Sequence, residues 1–317
     1  MSLPAVLQNR LSLPVVASPM FIASGPDLVI AQCKAGIVGS FPALNARPAS
    51  MLGEWLDRIE DELAGTDAAP FAVNQIVHRS NNRLEEDMAT IVEHRVPIVI
   101  TSLGARPEIN DAVHSYGGIV LHDIINDRFA RKAIEKGADG LIAVAAGAGG
   151  HAGTLSPFAL LQEIRQWFDG PLLLSGSIAH GRSVLAAQAA GADLAYVGSA
   201  FLATDEANVV DDYKQMIVDS SADDIVYSSL FTGVHGNYLR GSIEAAGLDP
   251  RNLPQGDPTT MDFGSGSTSD AKAWKDIWGA GQGLGVIDAT VPAADLVARL
   301  RREYEEARRE LLAAVPV

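Results

Sequence analysis

The sequence predicts an α/β chain folded as a (β/α)8 barrel, and three observations carry that prediction. Eight short, nearly continuous apolar runs recur along the first two thirds of the chain: Val15 to Met20, Ile37 to Phe41, Phe71 to Val77, Ile98 to Leu103, Gly118 to His122, Leu141 to Ala145, Leu172 to Ser175 and Leu194 to Gly198. Strands of a parallel sheet are covered on both faces, so they need this unbroken apolar character. Helical patterns fill the gaps, as at Asn82 to His94, Asn126 to Lys136, Pro157 to Phe168 and Gly181 to Ala190. Several of them close on a glycine able to take a left-handed stop, such as Gly137 and Gly191. Twice a helix ends on Gly-Ala-Asp, at Gly137-Ala138-Asp139 and at Gly191-Ala192-Asp193, the short turn expected at the N-terminal, stability face of such a barrel. A doubly wound open sheet is the alternative, but eight successive units without a break favour closure.

Composition agrees with a large buried core. The chain has 317 residues, 47% of them hydrophobic and 20% charged, enough for one barrel or two ordinary domains. Its formal charge of -15 argues against duplex DNA or an anionic membrane as partner, because both require clustered Lys and Arg. Cys33 is the single cysteine, so no internal disulfide forms, and its apolar surroundings predict a small buried hydrophobe rather than a reactive thiol. No charged n-region followed by an apolar h-region opens the sequence, and the long uncharged stretch from Gly140 to Gln162 is broken by glycines, a histidine and a proline. The expectation is a cytoplasmic protein; its oligomeric state is left open, a homo-oligomer included.

The β-α rhythm stops after Phe201. From Asp205 to Ala280 the chain shows clusters such as Asp249-Pro250-Arg251-Asn252-Leu253-Pro254 and Gly264-Ser265-Gly266-Ser267-Thr268-Ser269. Residues 1–204 and 281–317 are therefore read as the barrel and 205–280 as an insertion that covers its mouth, since long irregular segments in compact enzymes tend to be lids. The closing stretch Ala293 to Leu312 interleaves Arg and Glu with apolar positions, the pattern of an amphipathic helix with a salt-bridged face.

The chemistry concentrates in loops after the later strands. Ala145-Ala146-Gly147-Ala148-Gly149-Gly150-His151-Ala152-Gly153 sets one imidazole among four glycines directly after an apolar run. Glycine lets backbone approach a flat or phosphorylated ligand, and imidazole titrates near neutral pH, so the loop reads as displaying His151 rather than packing it. Ser175-Gly176-Ser177-Ile178 and Val197-Gly198-Ser199-Ala200-Phe201 follow the seventh and eighth predicted strands, where barrels commonly grip phosphate. Their amides and hydroxyls suit an anion, and the helix starting near His180-Gly181 points its positive end the same way. No His-Glu-x-x-His or paired-cysteine pattern occurs, and His78, His94, His114, His122 and His180 are scattered, so no metal site is indicated. Dinucleotide-fold and Walker spacings are absent as well.

Taken together, these segments resemble the nitronate monooxygenase family, also called 2-nitropropane dioxygenase-like: FMN-dependent barrels with relatives that act as enoyl-ACP reductases and NAD(P)H:quinone reductases. The resemblance spans nearly the whole chain and rests on Ala17-Ser18-Pro19-Met20, Phe71-Ala72-Val73-Asn74, Gly149-Gly150-His151-Ala152-Gly153, Ser175 to Arg182, Gly191-Ala192-Asp193 with Val197 to Thr204, and Gly279-Ala280-Gly281-Gln282-Gly283. It implies that Met20, Asn74, Ala148, Gly150, Gly176, Ser177, Gly198 and Ser199 line FMN, the last four near its phosphate, and that Gln282 faces the flavin. It makes His151 the catalytic histidine, either taking or orienting a substrate proton or holding the nitro oxygens. The implied reaction is oxidation of alkyl nitronates or nitroalkanes by O2 to a carbonyl compound and nitrite. The alternative is an NAD(P)H-dependent FMN reductase of quinones or enoyl thioesters, and a reading from another class is a phosphate-ligand binding barrel without catalysis.

Three segments depart from the family pattern. Ser175-Gly176-Ser177-Ile178 stands where relatives usually have Ala-Gly-Gly-Ile. His122-Asp123 stands where many have His-Lys, so the resemblance implies that a cationic contact to the flavin or its phosphate is missing or supplied from elsewhere. Phe231 to Arg240 replaces a Gly-Arg-Pro-type segment and points to a different substrate; His235 within it reads as a lid residue, not a catalytic one.

Overall fold

The computed structural model describes residues 3–257 and 276–314. Eight parallel strands form one sheet: β1 (Val15–Ala17), β2 (Gly39–Pro42), β3 (Phe71–Ile76), β4 (Ile98–Ser102), β5 (Ile119–Ile124), β6 (Gly140–Val144), β8 (Leu172–Ser175) and β9 (Leu194–Val197). They follow the order β1-β9-β8-β6-β5-β4-β3-β2, and a parallel bridge between Val16 and Val38 joins the two ends. The sheet is thus a closed barrel. Between its strands run α1 (Pro26–Lys34), α2 (Met51–Leu63), α3 (Leu84–Glu93), α4 (Pro107–His114), α5 (Asp127–Glu135), α6 (Pro157–Arg165) and α7 (Gly181–Ala189). The single turn α8 (Ser199–Leu202) follows β9.

All eight predicted strands are present, most with ends shifted by one to three residues. The first stops at Ala17 rather than Met20 because Met20 and Ser24 close a turn on each other: Ser24 N–H donates to the Met20 carbonyl at 3.0 Å and Met20 N–H to Ser24 Oγ at 3.0 Å. The apolar run outlasts the strand because Met20 packs beside the core and lines the cavity described below.

Side chains alternate across each strand, so inward and outward residues build separate cores. Val16, Val38, Ala72, Ile98, Ile100, Leu121, Ile142, Leu173 and Leu194 fill the barrel interior, while Val73, Val99, Val120, Leu141 and Ala195 face the helical layer. The next inward position up changes character. Ser18, Asn74, Ser102, Asp123, Ser175 and Tyr196 all reach the cavity at the C-terminal end of the strands. An apolar plug therefore carries a polar ring on its upper face.

The two Gly-Ala-Asp turns share one device at the opposite end. Gly137 and Gly191 take φ of 96° and 113°, and the aspartate that follows pins the start of a strand. The Asp139 carboxylate accepts from Val120 N–H at 2.7 Å, and the Asp193 carboxylate accepts from Leu172 N–H at 2.9 Å and from Arg165 at 2.6 Å. Arg165 also donates to the carbonyls of Gly191, Phe168 and Gly170. One guanidinium thus ties together the bottom of two β-α units.

Residues 205–280, expected to be partly loop-like, contain regular structure. Helix α9 (Asp211–Asp219) precedes strands β10 (Ile225–Ser228) and β11 (Gly236–Leu239), and α10 (Arg240–Ala245) follows. The hairpin escapes sequence reading because its strands are short, mix polar with apolar residues and pair antiparallel. The Gly264 to Ser269 cluster lies outside the described residues. The C-terminal helix, Ala293–Ala314, packs on α7 and α1 with i,i+4 pairs such as Arg301–Glu305. Among the described residues, no helix is long and apolar enough to cross a membrane.

Candidate active site

A cavity of about 870 Å3 opens at the C-terminal end of the barrel, where strand-terminal loops meet in this fold. Nine of the singled-out residues line it: His151, Met20, Asn74, Ala148, Gly150, Gly176, Ser177, Gly198 and Ser199. Gln282 does not. Its backbone N–H donates to the Gly147 carbonyl at 2.9 Å, and its exposed side chain brings Oε1 beside Gly147.

The glycine loops fit against one another closely enough to exclude side chains. Gly176, at φ 133°, would place a Cβ 2.7 Å from the Ala146 carbonyl oxygen. Gly147, at φ 86°, would drive one into Ser177 Oγ. The Ser177 amide is committed to the Gly147 carbonyl at 3.2 Å, so Ser177 offers the cavity its hydroxyl. Ser199 Oγ accepts from Gly281 N–H at 2.8 Å, which leaves the hydroxyl proton to donate. The start of α7 does not serve an anion as expected: Gly181 N–H is held by the Glu303 carboxylate at 2.7 Å and Arg182 N–H by His180 Nδ1 at 3.0 Å. A protein carboxylate from the C-terminal helix already occupies that positive end.

Strained backbone gathers here. Ile22, Leu103 and Ser177 take φ of 65°, 63° and 56°, and all three line the cavity. A β-branched residue in the left-handed region is costly and must be held by its surroundings. Asn45 Oδ1 accepts from Ile22 N–H at 2.9 Å, and Asn208 Nδ2 donates to the Ile22 carbonyl at 3.3 Å.

His151 does not stand on an isolated loop. Gly150–His151 forms β7, the third strand of an antiparallel sheet with β11 and β10. Asn237 Nδ2 donates to the Ala148 carbonyl at 2.6 Å, Tyr227 donates to the Ala152 carbonyl at 3.0 Å, and Ala152 N–H reaches the His235 carbonyl at 3.3 Å. The imidazole Nε2 lies 2.9 Å from Thr232 Oγ1. Burial pushes its pKa down to about 4, so the ring is neutral at physiological pH and can accept a proton. His235 is exposed and stacks on Tyr227 at 5.1 Å.

The floor of the cavity is the polar ring. Asn74 Nδ2 donates to the Ile100 carbonyl at 3.1 Å and to Ser102 Oγ at 2.8 Å. Burial raises the Asp123 carboxyl above its ordinary range, against the lowering effect of His122 and of hydrogen bonds from Ser102 and Leu103. Burial first, and then the neighbouring Asp123, raises the Tyr196 phenol. Ser18, Ser102 and Tyr196 were not singled out in the sequence, although counting alternate positions to the end of each strand would have found them. Thr232, in a loop of the 205–280 segment, carries no sequence signal.

The structure brings His94 together with Asp57 and Glu60, a grouping the sequence did not suggest; their ligand atoms lie within 4.8 Å of one another. The two carboxylates are exposed, and none of the three residues lines the cavity. Cys33 is buried, with its thiol pushed up to about 12, which fits the packing role predicted for it.

The family model for nitronate monooxygenase matches residues 79–303. A nitronate monooxygenase from Paraburkholderia phytofirmans is 27% identical, covering 94% of this chain and 94% of that protein. Among solved structures, a nitroalkane oxidase from Streptomyces ansochromogenes superposes with a TM-score of 0.82 at 26% identity, covering 97% of this chain and 100% of the other. FabK from Thermotoga maritima shares the fold, with a TM-score of 0.78 at 24% identity over 98% of this chain and 97% of the other. With a closed barrel, a glycine-walled cavity at its C-terminal end and a family match over most of its length, this chain is an oxidoreductase of the nitronate monooxygenase family.

Proposed function

We propose that the protein binds FMN in the barrel cavity and oxidises alkyl nitronates or nitroalkanes with O2 to a carbonyl compound and nitrite, with residues 205–280 as its lid. The observation that carries this reading is His151: a neutral imidazole on the wall of a cavity whose glycine loops and hydroxyls stand above a polar floor that includes Asn74 and Asp123.

The residues fit a flavin mononucleotide. Gly176 and Gly147 let the two loops close on one another with no side chain between them, and Ser177 and Ser199 supply hydroxyls to the cavity wall so formed. Those groups would hold the phosphate, while Met20, Asn74, Ala148 and Gly150 would line the ring system. When bound, FMN supplies the electron-accepting and O2-reducing chemistry that no side chain has.

The chain's own contribution is positioning and proton handling. With a neutral nitroalkane, the imidazole of His151 takes the proton from the carbon bearing the nitro group, and the electron pair of that C–H bond moves onto the nitro group to give the nitronate. With a nitronate, no proton is removed, and His151 orients the anion. Leu230, Phe231 and Trp278 close the mouth with apolar surface, which restricts water around the reacting carbon.

The test is anaerobic mixing of FMN-loaded protein with ethyl or propyl nitronate and, separately, with NADH or NADPH, following flavin absorbance. The reading predicts bleaching by the nitronate. Reduction by a nucleotide alone would assign the protein to the reductase branch.

A further inference from the structure

The carboxyl of Asp123 is turned toward the barrel axis. Leu121, two positions earlier on β5, packs in the barrel interior, and Asp123 takes the next inward position. Its charge acts on the Tyr196 phenol of β9, although β6 and β8 stand between β5 and β9 in the sheet. The two side chains therefore face one another across the interior, and the carboxyl belongs to the cavity floor rather than to its rim.

Hydrogen-bond donors hold this carboxyl, but no cation does. Ser102 Oγ accepts from Asn74 Nδ2 at 2.8 Å and donates to Asp123, as does the Leu103 amide. Arg47 is the only Lys or Arg among the described residues that line the cavity; it is exposed, its Nε donates to the Leu44 carbonyl at 3.0 Å, and its guanidinium lies over the Phe21 ring. His122 takes the alternate, outward position on β5 and meets Thr101 Oγ1 at 2.6 Å through Nδ1. Burial lowers its pKa, as it does that of His151, so both rings are neutral at physiological pH. Any further solvation of an ionised Asp123 has to come through the open cavity.

We propose that Asp123 is a cofactor-contacting residue whose carboxyl must be protonated for the flavin ring to seat on the floor, so that binding takes up a proton at this position. The inference rests on the reading of the cavity as an FMN site. That reading puts the phosphate at Ser177 and Ser199, on the loops after β8 and β9, so the ring system extends from there over the barrel mouth. A flat ring laid on the floor closes the route by which water solvates the carboxyl. An ionised Asp123 would then be buried beside an anionic cofactor without a compensating cation, which is costly; a protonated one is neutral and has an O–H to donate. The proton comes from solvent, and no bond of the cofactor is made or broken. Burial already raises the carboxyl in the free protein, and the ring raises it further. Affinity is therefore highest below the free-protein value and weakens as pH rises through it, by up to about tenfold per pH unit, until the value in the complex is reached.

The experiment measures the Kd of FMN, and of riboflavin as the phosphate-free control, for the full-length protein stripped of flavin. Flavin fluorescence is followed from about pH 5 to 9, the range in which buried carboxyls titrate, for the wild type and Asp123→Asn. Taking the ratio of the two proteins cancels the titration of the FMN phosphate itself, near pH 6. The wild-type Kd divided by the variant Kd is expected to climb with pH to about tenfold or more, by the same factor for both ligands, because Asp123 meets the ring and not the phosphate. A second measurement needs no variant: calorimetric titration of the wild type with riboflavin, in buffers of different ionisation enthalpy over the same range, should show net proton uptake. A ratio that stays flat with pH, or no proton uptake at any pH, overturns the proposal. A ratio that climbs for FMN alone overturns it too, since the carboxyl would then act on the phosphate through its charge. Failure of both proteins to bind either flavin at any pH refutes the FMN reading itself, and the inference with it.

Discussion

Gly236 of β11 pairs in antiparallel register with His151 of the barrel loop, and the pairing is close enough that a Cβ on Gly236 would lie 2.8 Å from the Gly150 carbonyl oxygen. The imidazole proposed to act on substrate is therefore carried by an edge strand of a sheet whose other strands come from outside the β-α repeat. A side chain at position 236 must push β11 away from β7. Gly236→Val should lower turnover by about tenfold or more while the barrel, whose core lies elsewhere, keeps its far-ultraviolet circular dichroism. Retained activity in that variant would show that the lid pairing is dispensable.

The depressed pKa of His151 links the site to acid stability. The folded state binds the His151 proton less tightly than the unfolded chain, with a pKa of about 4 against an unfolded value near 6.5. The favourable contribution is thus complete above the unfolded value and disappears as pH falls through the folded one, amounting to at most about 3 kcal/mol. His151→Gln removes the titration. Relative to the wild type, the variant should gain stability between about pH 6.5 and 4, measured as the difference in urea midpoints across that range. Parallel curves would mean that the ring is solvated rather than buried.

Gly176→Val tests the cofactor cradle. The new side chain would meet the Ala146 carbonyl before it reached the cavity, and φ of 133° is a conformation that side chains rarely adopt. The substitution must therefore displace the loop that aligns Ser177. Purified protein should carry less than about a tenth of the wild-type flavin per chain, a loss equivalent to more than about 1.4 kcal/mol of binding at limiting cofactor. Full occupancy would place the phosphate elsewhere.

How far the sequence reached follows from what each residue has to do. The barrel was legible because a doubly covered strand must be apolar and because a Gly-Ala-Asp turn needs glycine at positive φ, as Gly137 and Gly191 have. The cavity loops were legible because close backbone contact leaves glycine little competition, as at Gly176. Other parts depend on partners that spacing does not encode. Gln282 sits in a glycine-rich segment that returns to the site, yet it does not line the cavity; its backbone N–H holds the Gly147 carbonyl. The start of α7 reads as an anion site until Glu303, 122 positions later, supplies the anion. Thr232 reaches His151 through a hairpin that no periodicity announces.

Asp123 shows how a departure from the family pattern alters the energetics of the site. Its carboxyl lines the cavity floor, and burial raises its pKa, so the folded state binds this proton more tightly than the unfolded chain. The sign is the reverse of an ion-paired carboxylate: stability is complete below the unfolded pKa, near 3.9, and is lost as pH rises through the folded value. Ionising this buried carboxyl destabilises the cofactor-free protein, and Asn keeps the shape while removing the charge. Asp123→Asn should therefore raise the melting temperature of the apoprotein at pH 7. The gain should shrink as pH falls toward the unfolded pKa. A gain that persists in acid would assign the effect to packing, and a loss at pH 7 would mean that the Ser102 and Leu103 hydrogen bonds to the carboxylate outweigh its burial.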